Sequence, residues 1–392
     1  MPSDSQIPIA SQIASKRFAT WLAAFYSTLF GASGAHLPFF TVWLKAIGLD
    51  ASWIGIITAV PSVTRFTVLP LVTALAESRQ ALRGGIIVTG FATAIGFCVL
   101  GTQQQPLLVL LVYAVMCCLW TPMVPLTDAY ALRGVARYGL NYGPLRLWGS
   151  AAFVVGALLC GALVNVIAAV HLIWVIAAMA TLGALVGLGL PPLEGVKPTT
   201  AGSRGARELL GDRAFLAIIV TSALIQSSHS AYYIFASIAW QQSGFGGLTI
   251  AGLWALGVLA EIVLFALPST VLVVIAALAA VARWVITAQD PPIMVLGFIQ
   301  LAHGLTFGLT QVGIMGLMVH HVPPHMVARG QGYLAACSGI FTAITSILCG
   351  MVYARYGQGV YYVMAAMAAS GGLVMWLARS RLDHPHSVAS GG

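Results

Sequence analysis

Arg65, Asp128, Arg146, Glu261 and Arg283 stand within or at the ends of long apolar stretches. A charge placed there costs several kcal/mol, so such residues face a bundle interior or a water-filled cavity and mark ion or substrate paths. A guanidinium can hold an anion, because its planar fork meets a carboxylate through two parallel hydrogen bonds. Arg283 is followed by Trp284, whose ring could pack an aromatic substrate; the same pair could snorkel to the membrane interface. Arg65 shares a helical face with Thr58 and Ser62, and its other reading is an ion pair locking two helices. Asp128 and Arg146 are equally distant from Arg137. A hairpin folded there sets them at one depth, either as a static salt bridge or as a site that exchanges proton and substrate. Glu261 has Trp254 two turns earlier on the same face, and could carry a proton or pin two helices through a hydrogen bond.

Two histidines sit on polar stripes at helical spacing. His303 belongs to Gln300, His303, Thr306/Phe307 and Thr310; His229 belongs to Gln226, His229/Ser230, Tyr233 and Ser237. Histidine changes charge near physiological pH, so each could line a cavity and handle protons, or serve as a neutral hydrogen-bonding group. His36 has no such company in its own stretch and reads as structural. His320, His321 and His325 surround Pro323-Pro324 and read as an interfacial loop, with no metal site expected. Tyr113, Trp120, Tyr233, Trp254, Trp284 and Phe307 are candidate aromatic walls. No nucleophile elbow, P-loop, HExxH or CxxC occurs in the sequence. The residues therefore point to transport and not to an enzyme or an ATP-driven pump.

These side chains need elements to position them. Hydrophobic residues make up 59% of the 392 residues and charged ones 7%, where a soluble domain carries about 25% charged. That excludes a soluble enzyme, a disordered chain and a nucleic-acid module. The bases sit singly in short connections, which orients a membrane protein and does not form a patch for nucleic acid. The six cysteines lie in apolar runs without metal or disulfide spacing. The apolar runs are long and continuous, which indicates an all-α membrane protein. We read twelve transmembrane helices, at 18–40, 53–75, 85–102, 107–129, 147–165, 170–190, 214–239, 248–267, 270–288, 292–319, 332–353 and 360–379.

The organisation that follows is a cytoplasmic tail over 1–17, an N-terminal six-helix bundle over 18–190, a cytoplasmic linker over 191–213, a C-terminal six-helix bundle over 214–380 and a cytoplasmic tail over 381–392. With both termini inside, Lys16, Arg17, Arg79, Arg83, Arg133, Arg137, Arg146, Lys197, Arg204, Arg207, Arg213, Arg329, Arg379 and Arg381 fall on the cytoplasmic side, against Lys45, Arg283 and Arg355 outside. Leu159-Cys160-Gly161 is echoed by Leu348-Cys349-Gly350, a weak internal repeat of the kind that transporters show around a midplane site.

Several stretches carry a resemblance: Leu37-Pro-Phe-Phe-Thr-Val-Trp43-Leu, Tyr142-Gly-Pro-Leu-Arg146-Leu-Trp-Gly149-Ser, Gln226-Ser-Ser-His229, Leu253-Trp254 through Glu261, Ala282-Arg283-Trp284 and Gln300-Leu-Ala-His303. Through these the whole chain resembles the major facilitator superfamily, and within it the phenylpropionate transporter branch. The turn containing Glu77, Arg79 and Arg83 resembles the superfamily's charged gating loop after span two, with Glu77 where Asp is usual. The resemblance implies the two-bundle major facilitator fold, alternating access, and uptake of a small aromatic carboxylate by proton symport. In the related lactose permease pattern, Asp128 and Arg146 fill the acid and Arg places of spans four and five. Glu261, Arg283 and His303 fill those of spans eight, nine and ten. Two features depart from the pattern. Thr306 stands where a second carboxylate is expected, and the connection Leu267-Pro268-Ser269-Thr270 is unusually short.

The expected function is thus a multi-pass secondary transporter of the cytoplasmic (inner) membrane. Glu261, His303 and Asp128 would couple protons. Arg283, Arg146, Arg65, His229, Tyr233, Gln226, Trp254, Trp284, Gln300, Phe307, Tyr113 and Trp120 would bind substrate. Its partners would be an aromatic acid, protons and the lipid bilayer. It would act as a monomer with no cofactor beyond the proton gradient. The alternatives are a nucleoside or sugar proton symporter on the same fold, and a non-transporting membrane sensor or assembly protein.

Overall fold

A chain in lipid has no water to satisfy its backbone, so apolar runs must close their hydrogen bonds internally. The computed structural model describes residues 9–79, 81–193, 206–262, 270–323 and 326–382, and among them there are helices and no strand. Most of the linker, both tail ends, the 263–269 part of the short connection, and Pro324 and His325 lie outside the described residues. So do the side chains of Glu77 and Glu261, although both residues belong to helices.

The first helices are α1 (Ile9–Ala46), α2 (Ala51–Thr67), α3 (Leu69–Ser78), α4 (Leu82–Leu100), α5 (Pro106–Trp120), α6 (Met123–Tyr138), α7 (Tyr142–Val164) and α8 (Leu172–Gly187). After the linker come α9 (Ala206–Gly211), α10 (Arg213–Ser227), α11 (Ser230–Gln242), α12 (Gly247–Ile262) and α13 (Thr270–Thr287). The last are α14 (Ile293–His303), α15 (Leu309–His321), α16 (Val327–Tyr356) and α17 (Val360–Leu382). Local chemistry sets several ends. Asp50 accepts from the Trp53 amide ahead of α2, and Asp212 from the Ala214 amide ahead of α10, each filling an orphan donor of a first turn. Pro106 opens α5, and Gly139 ends α6 at a φ of 62°, a left-handed backbone that costs glycine nothing.

Among the described residues eight stretches are long and apolar enough to cross a membrane: Leu82–Leu100, Pro106–Tyr138, Tyr142–Val164, Ala169–Gly187, Arg213–Gln242, Thr270–Thr287, Ile293–His321 and Gly330–Leu382. The pair Ala51–Thr67 and Leu69–Ala76, bent by 46°, makes a ninth if it is one span. The run read as the first span lies in α1; the run read as the eighth begins in α12, and its residues 263–267 lie outside the described residues. In the Arg213–Gln242 stretch 72% of the apolar window is buried, against 33–44% in the others. The others therefore present apolar surface outward, and α10–α11 is an inner helix.

The chain divides into two compact units that interleave along the sequence. The first takes the described residues of 1–48, 67–199 and 245–251; the second takes those of 49–66, 200–244 and 252–392. In the first, α1 lies along α7 and α8. A Cβ on Gly34 would stand 2.1 Å from the Phe153 carbonyl oxygen, and one on Gly156 2.1 Å from that of Gly31. Small residues let membrane helices meet backbone to backbone. Around this crossing Phe18, Leu22, Phe25, Tyr26, Ile86 and Tyr130 form the core. In the second unit α10 packs on α15, α16 and α17, with Phe215, Ile218, Ile225, Ile314, Met318 and Met375 between them. There Gly55 of α2 meets Gly350 of α16, a Cβ on Gly55 standing 2.8 Å from the Gly350 Cα.

The α1–α7 crossing should tolerate no methyl group. Gly156→Ala is expected to cost about 1–3 kcal/mol through forced separation of the helices and to lower the unfolding temperature of the detergent-purified protein. Gly252→Ala, with nothing within 4 Å of the added Cβ, should leave it in place. Intrinsic tryptophan fluorescence on heating measures both.

Candidate functional site

In the second unit, residues from α11, α13 and the α14–α15 stretch converge on one guanidinium. Arg283 is 2% exposed. Its Nη1 donates to His303 Nδ1 at 2.7 Å and to Thr306 Oγ1 at 3.0 Å, and its Nη2 donates to Gln300 Oε1 at 3.3 Å. The group also lies over the rings of Tyr232, at 4.9 Å, and Trp284, at 4.6 Å. These partners are neutral acceptors and aromatic faces. Among the described residues Arg283 makes no ion pair, and its Nε, buried, has no hydrogen-bond partner.

Two irregularities of the helices bring these residues together. Between α10 and α11 the helix breaks at Ser228–His229. The Ser228 hydroxyl donates to the Ile225 carbonyl at 2.6 Å, and His229 Nδ1 meets the same carbonyl at 3.0 Å. Side chains that bond nearby carbonyls in this way compete with the helical ladder. The stripe read through Gln226, His229/Ser230, Tyr233 and Ser237 is therefore interrupted: His229 turns fully inward, while Gln226 bonds Gln311 at 3.1 Å. Between α14 and α15, Gly304–Gly308 forms a single π turn, a feature that widens one turn and often marks a functional site. It follows His303 and contains Thr306 and Phe307.

Hydrogen-bond partners fix the protons in this cluster. His229 Nδ1 faces a carbonyl oxygen, which only accepts, so Nδ1 carries the hydrogen. Its Nε2 then accepts from the Thr306 hydroxyl at 3.1 Å. His303 Nδ1 faces a guanidinium nitrogen, which only donates, so its hydrogen is on Nε2, toward the Tyr233 hydroxyl at 3.4 Å. Walls close the cluster. Trp254 donates to Ser237 at 2.9 Å and packs on Tyr232 with ring centres 4.8 Å apart. Trp284 donates to Ser228 at 3.1 Å and meets His229 edge-on at 4.9 Å. Phe307 stacks on His303 at 5.4 Å.

Of the expected site residues, Arg283, Trp284, His229, Tyr233, Trp254, Gln300, His303 and Phe307 thus meet in one cluster. Gln226 sits beside its helix break. Arg65 is exposed on the last turn of α2, before the bend into α3. The backbone of Glu261 is on α12. Sequence reading missed Tyr232 as a wall and the part played by Thr306, which appeared there on the His303 stripe and as the place of an absent carboxylate.

The remaining residues lie in the first unit. Asp128 and Arg146 form no ion pair. Asp128 Oδ1 accepts from Tyr26 at 2.6 Å and from Tyr142 at 3.0 Å, while the Arg146 guanidinium lies 3.8 Å from the Phe30 ring centre. The hairpin salt bridge expected from their spacing is replaced because tyrosine hydroxyls from α1 and α7 reach the carboxylate. Tyr113 and Trp120 wall a second aromatic cluster around His36, which has company after all, from Phe40 on its own helix and from other helices. Its ring stacks on Phe40 at 4.5 Å, meets Trp120 edge-on at 4.4 Å, and its Nε2 is 3.3 Å from the Tyr113 hydroxyl. Arg79 is exposed in the turn after α3. Arg83 instead caps α8, its Nε donating to Leu190 O at 2.6 Å and its Nη2 to Leu188 O at 3.0 Å.

Residues 19–364 match the MFS_1-like family. The probable 3-phenylpropionic acid transporter of Escherichia coli (strain K12) is 31% identical over 366 residues, covering 89% of this chain and 94% of that protein. The maltose permease of Geobacillus stearothermophilus is 25% identical over 365 residues, covering 90% and 92%. Among solved structures, the nucleoside transporter NupG superimposes with a TM-score of 0.80 at 14% identity, over 92% of this chain and 98% of that one. The D-xylose-proton symporter does so with a TM-score of 0.70 at 12% identity, over 93% and 97%. The chain belongs to the MFS_1-like family: it is a multi-pass membrane transporter of a small molecule, with the fold of these transporters, and not an enzyme.

The Asp128 contacts make a stability prediction. Hydrogen bonds to a charged group contribute about 1.5–3 kcal/mol. Tyr26→Phe should lower the thermal unfolding midpoint of the detergent-purified protein, and Tyr142→Phe, which removes the longer bond, should lower it less.

Proposed function

We propose that the protein takes up a small aromatic carboxylate such as 3-phenylpropionate together with a proton, by alternating access. It would do so as a monomer in the cytoplasmic membrane, through the twelve spans of the sequence reading, set in two six-helix bundles with both termini cytoplasmic. The proton gradient would be the sole energy source. One observation carries the reading: Arg283 is a buried cation whose described partners are all neutral, with the Nε hydrogen unused. A guanidinium presents Nε and Nη2 along one edge, which is the edge a carboxylate grips with two parallel bonds. Leaving a cation in a lipid-embedded bundle without a counter-charge is costly. An arriving anion removes that cost, so binding is favoured for an acid over its amide or alcohol.

The surroundings fit the other end of such a molecule. Tyr232, Tyr233, Trp254, Trp284 and Phe307 offer ring faces and edges, which pack a phenyl group better than a sugar's hydroxyls. The 31% identical relative, described as a probable 3-phenylpropionic acid transporter, supports the same substrate class. Coupling to protons is supported by the histidines in this cluster and by Glu261 on the neighbouring α12. In the arrangement seen, His303 cannot gain a proton while Arg283 donates to its Nδ1, since two cations would then face each other across 2.7 Å.

The test is uptake of labelled 3-phenylpropionate into proteoliposomes, with and without an inward proton gradient, and with a nucleoside, a disaccharide and benzoate as competitors. Gradient-driven accumulation that only the aromatic acid blocks is expected. Blockage by the nucleoside or the disaccharide would replace the substrate class. Arg283→Gln should weaken acid binding by about 10- to 100-fold, the worth of a charged hydrogen bond. Equal affinity in that variant would remove Arg283 from the site.

A further inference from the structure

We propose that His229 carries the coupling proton, that the Thr306 hydroxyl is the reversible bridge that admits it, and that His303 remains neutral as the acceptor of Arg283. This rests on the symport reading above and assigns its proton.

The two histidines differ in what a second proton would meet. On His303 it would arrive at Nδ1, facing the 2.7 Å guanidinium contact. On His229 it would arrive at Nε2, facing a hydroxyl oxygen at 3.1 Å. A hydroxyl can donate or accept, and Thr306 has a second acceptor within reach, the His303 carbonyl oxygen at 3.3 Å. Rotation of one O–H bond therefore turns Thr306 from donor to acceptor toward His229. The imidazolium then donates through Nδ1 to the Ile225 carbonyl, as before, and through Nε2 to Thr306. Thr306 donates to the His303 carbonyl and still accepts from Arg283 at 3.0 Å. No heavy atom has to move, and no donor of the His229–Thr306 pair is left without an acceptor. His229 and Thr306 are both fully buried, so no water replaces the bridge.

The same oxygen explains why proton and anion travel together. Arg283 and His229 stand on either side of Thr306 Oγ1, at 3.0 and 3.1 Å. A proton on His229 alone would place two cations across one atom. An anion on Arg283 removes that repulsion, and by linkage the proton strengthens the anion's binding in return. Counting the described side chains, the empty cluster and the cluster holding anion plus proton bear the same charge. The groups facing it are Tyr232 and Tyr233 of α11, Arg283 of α13, His303 of α14 and, stacked on Trp284 at 5.8 Å, Tyr361 of α17. Glu261 lies on α12, with its side chain outside the described ones.

Two experiments test the assignment, with 3-phenylpropionate as the probe. The first is the steady-state accumulation ratio in proteoliposomes with the membrane potential clamped at zero. One proton per anion gives about tenfold accumulation per pH unit. Wild type and Thr306→Ser should reach it. Thr306→Val, which keeps the shape and loses the hydroxyl, should fall toward a ratio of one. A tenfold ratio in Thr306→Val would overturn the assignment alone; a ratio of one in wild type would remove the symport reading with it. The second uses wild-type protein labelled with 15N-histidine, so it stands whether or not the variant folds. Between pH 5 and 8, the signal lost in His229→Gln should change from the neutral to the imidazolium pattern when 3-phenylpropionate is present, and the signal lost in His303→Gln should not. The reverse pattern would overturn the proposal.

Discussion

A guanidinium enclosed by a bundle that sits in lipid must be surrounded by acceptors, because no solvent can supply them. Arg283 sets this requirement for the second unit, and the irregular backbone around it answers it. Regular helices at α10–α11 and α14–α15 would carry their polar residues around the axis at 3.6 residues per turn. The break at Ser228–His229 and the π turn at Gly304–Gly308 change that register locally. Gln300 and His303, on one face of α14, and Thr306 of the π turn reach one guanidinium, and His229, at the break, bonds Thr306 in turn. Trp284 and Trp254 find serines for their indole N–H groups, Ser228 and Ser237. Among the described residues the guanidinium's Nη atoms are thus tied to neutral acceptors, and its Nε is left open.

The first unit meets the same requirement with the opposite sign. Its carboxylate, Asp128, takes hydrogen bonds from two tyrosines in place of a counter-ion, and Arg146 takes the face of Phe30. A short ion pair in low dielectric gains Coulomb energy but must offset the desolvation of both charges. Tyrosine hydroxyls and ring faces soften that cost while leaving each charge able to take another partner. Arg83 donates to the Leu188 and Leu190 carbonyl oxygens in the turns that follow α8. A residue read as part of a charged gating turn is here the cap of a neighbouring helix.

The helical class, the long apolar runs and the candidate polar residues could all be read from the sequence, since each rests on composition and short-range spacing. Arg283, His303, Gln300 and Trp284 were marked because a polar residue in an apolar run is costly wherever the run folds. His36 was passed over because its company, Phe40 apart, comes from α4 and α5, far along the chain. Thr306 drew notice as a member of the His303 stripe and as an absent carboxylate, but not for its bridging role, since a threonine's donor and acceptor roles depend on what faces it.

The sequence by itself determined that this is an α-helical membrane protein with a few expensive charges, because hydropathy and charge cost act residue by residue. The tertiary structure decided which of those charges share a site and which proton sits on which nitrogen. It did so through a helix break, a π turn and glycine crossings such as Gly34 against Phe153. Those depend on contacts between helices, and a contact has no counterpart in the spacing of residues along one chain.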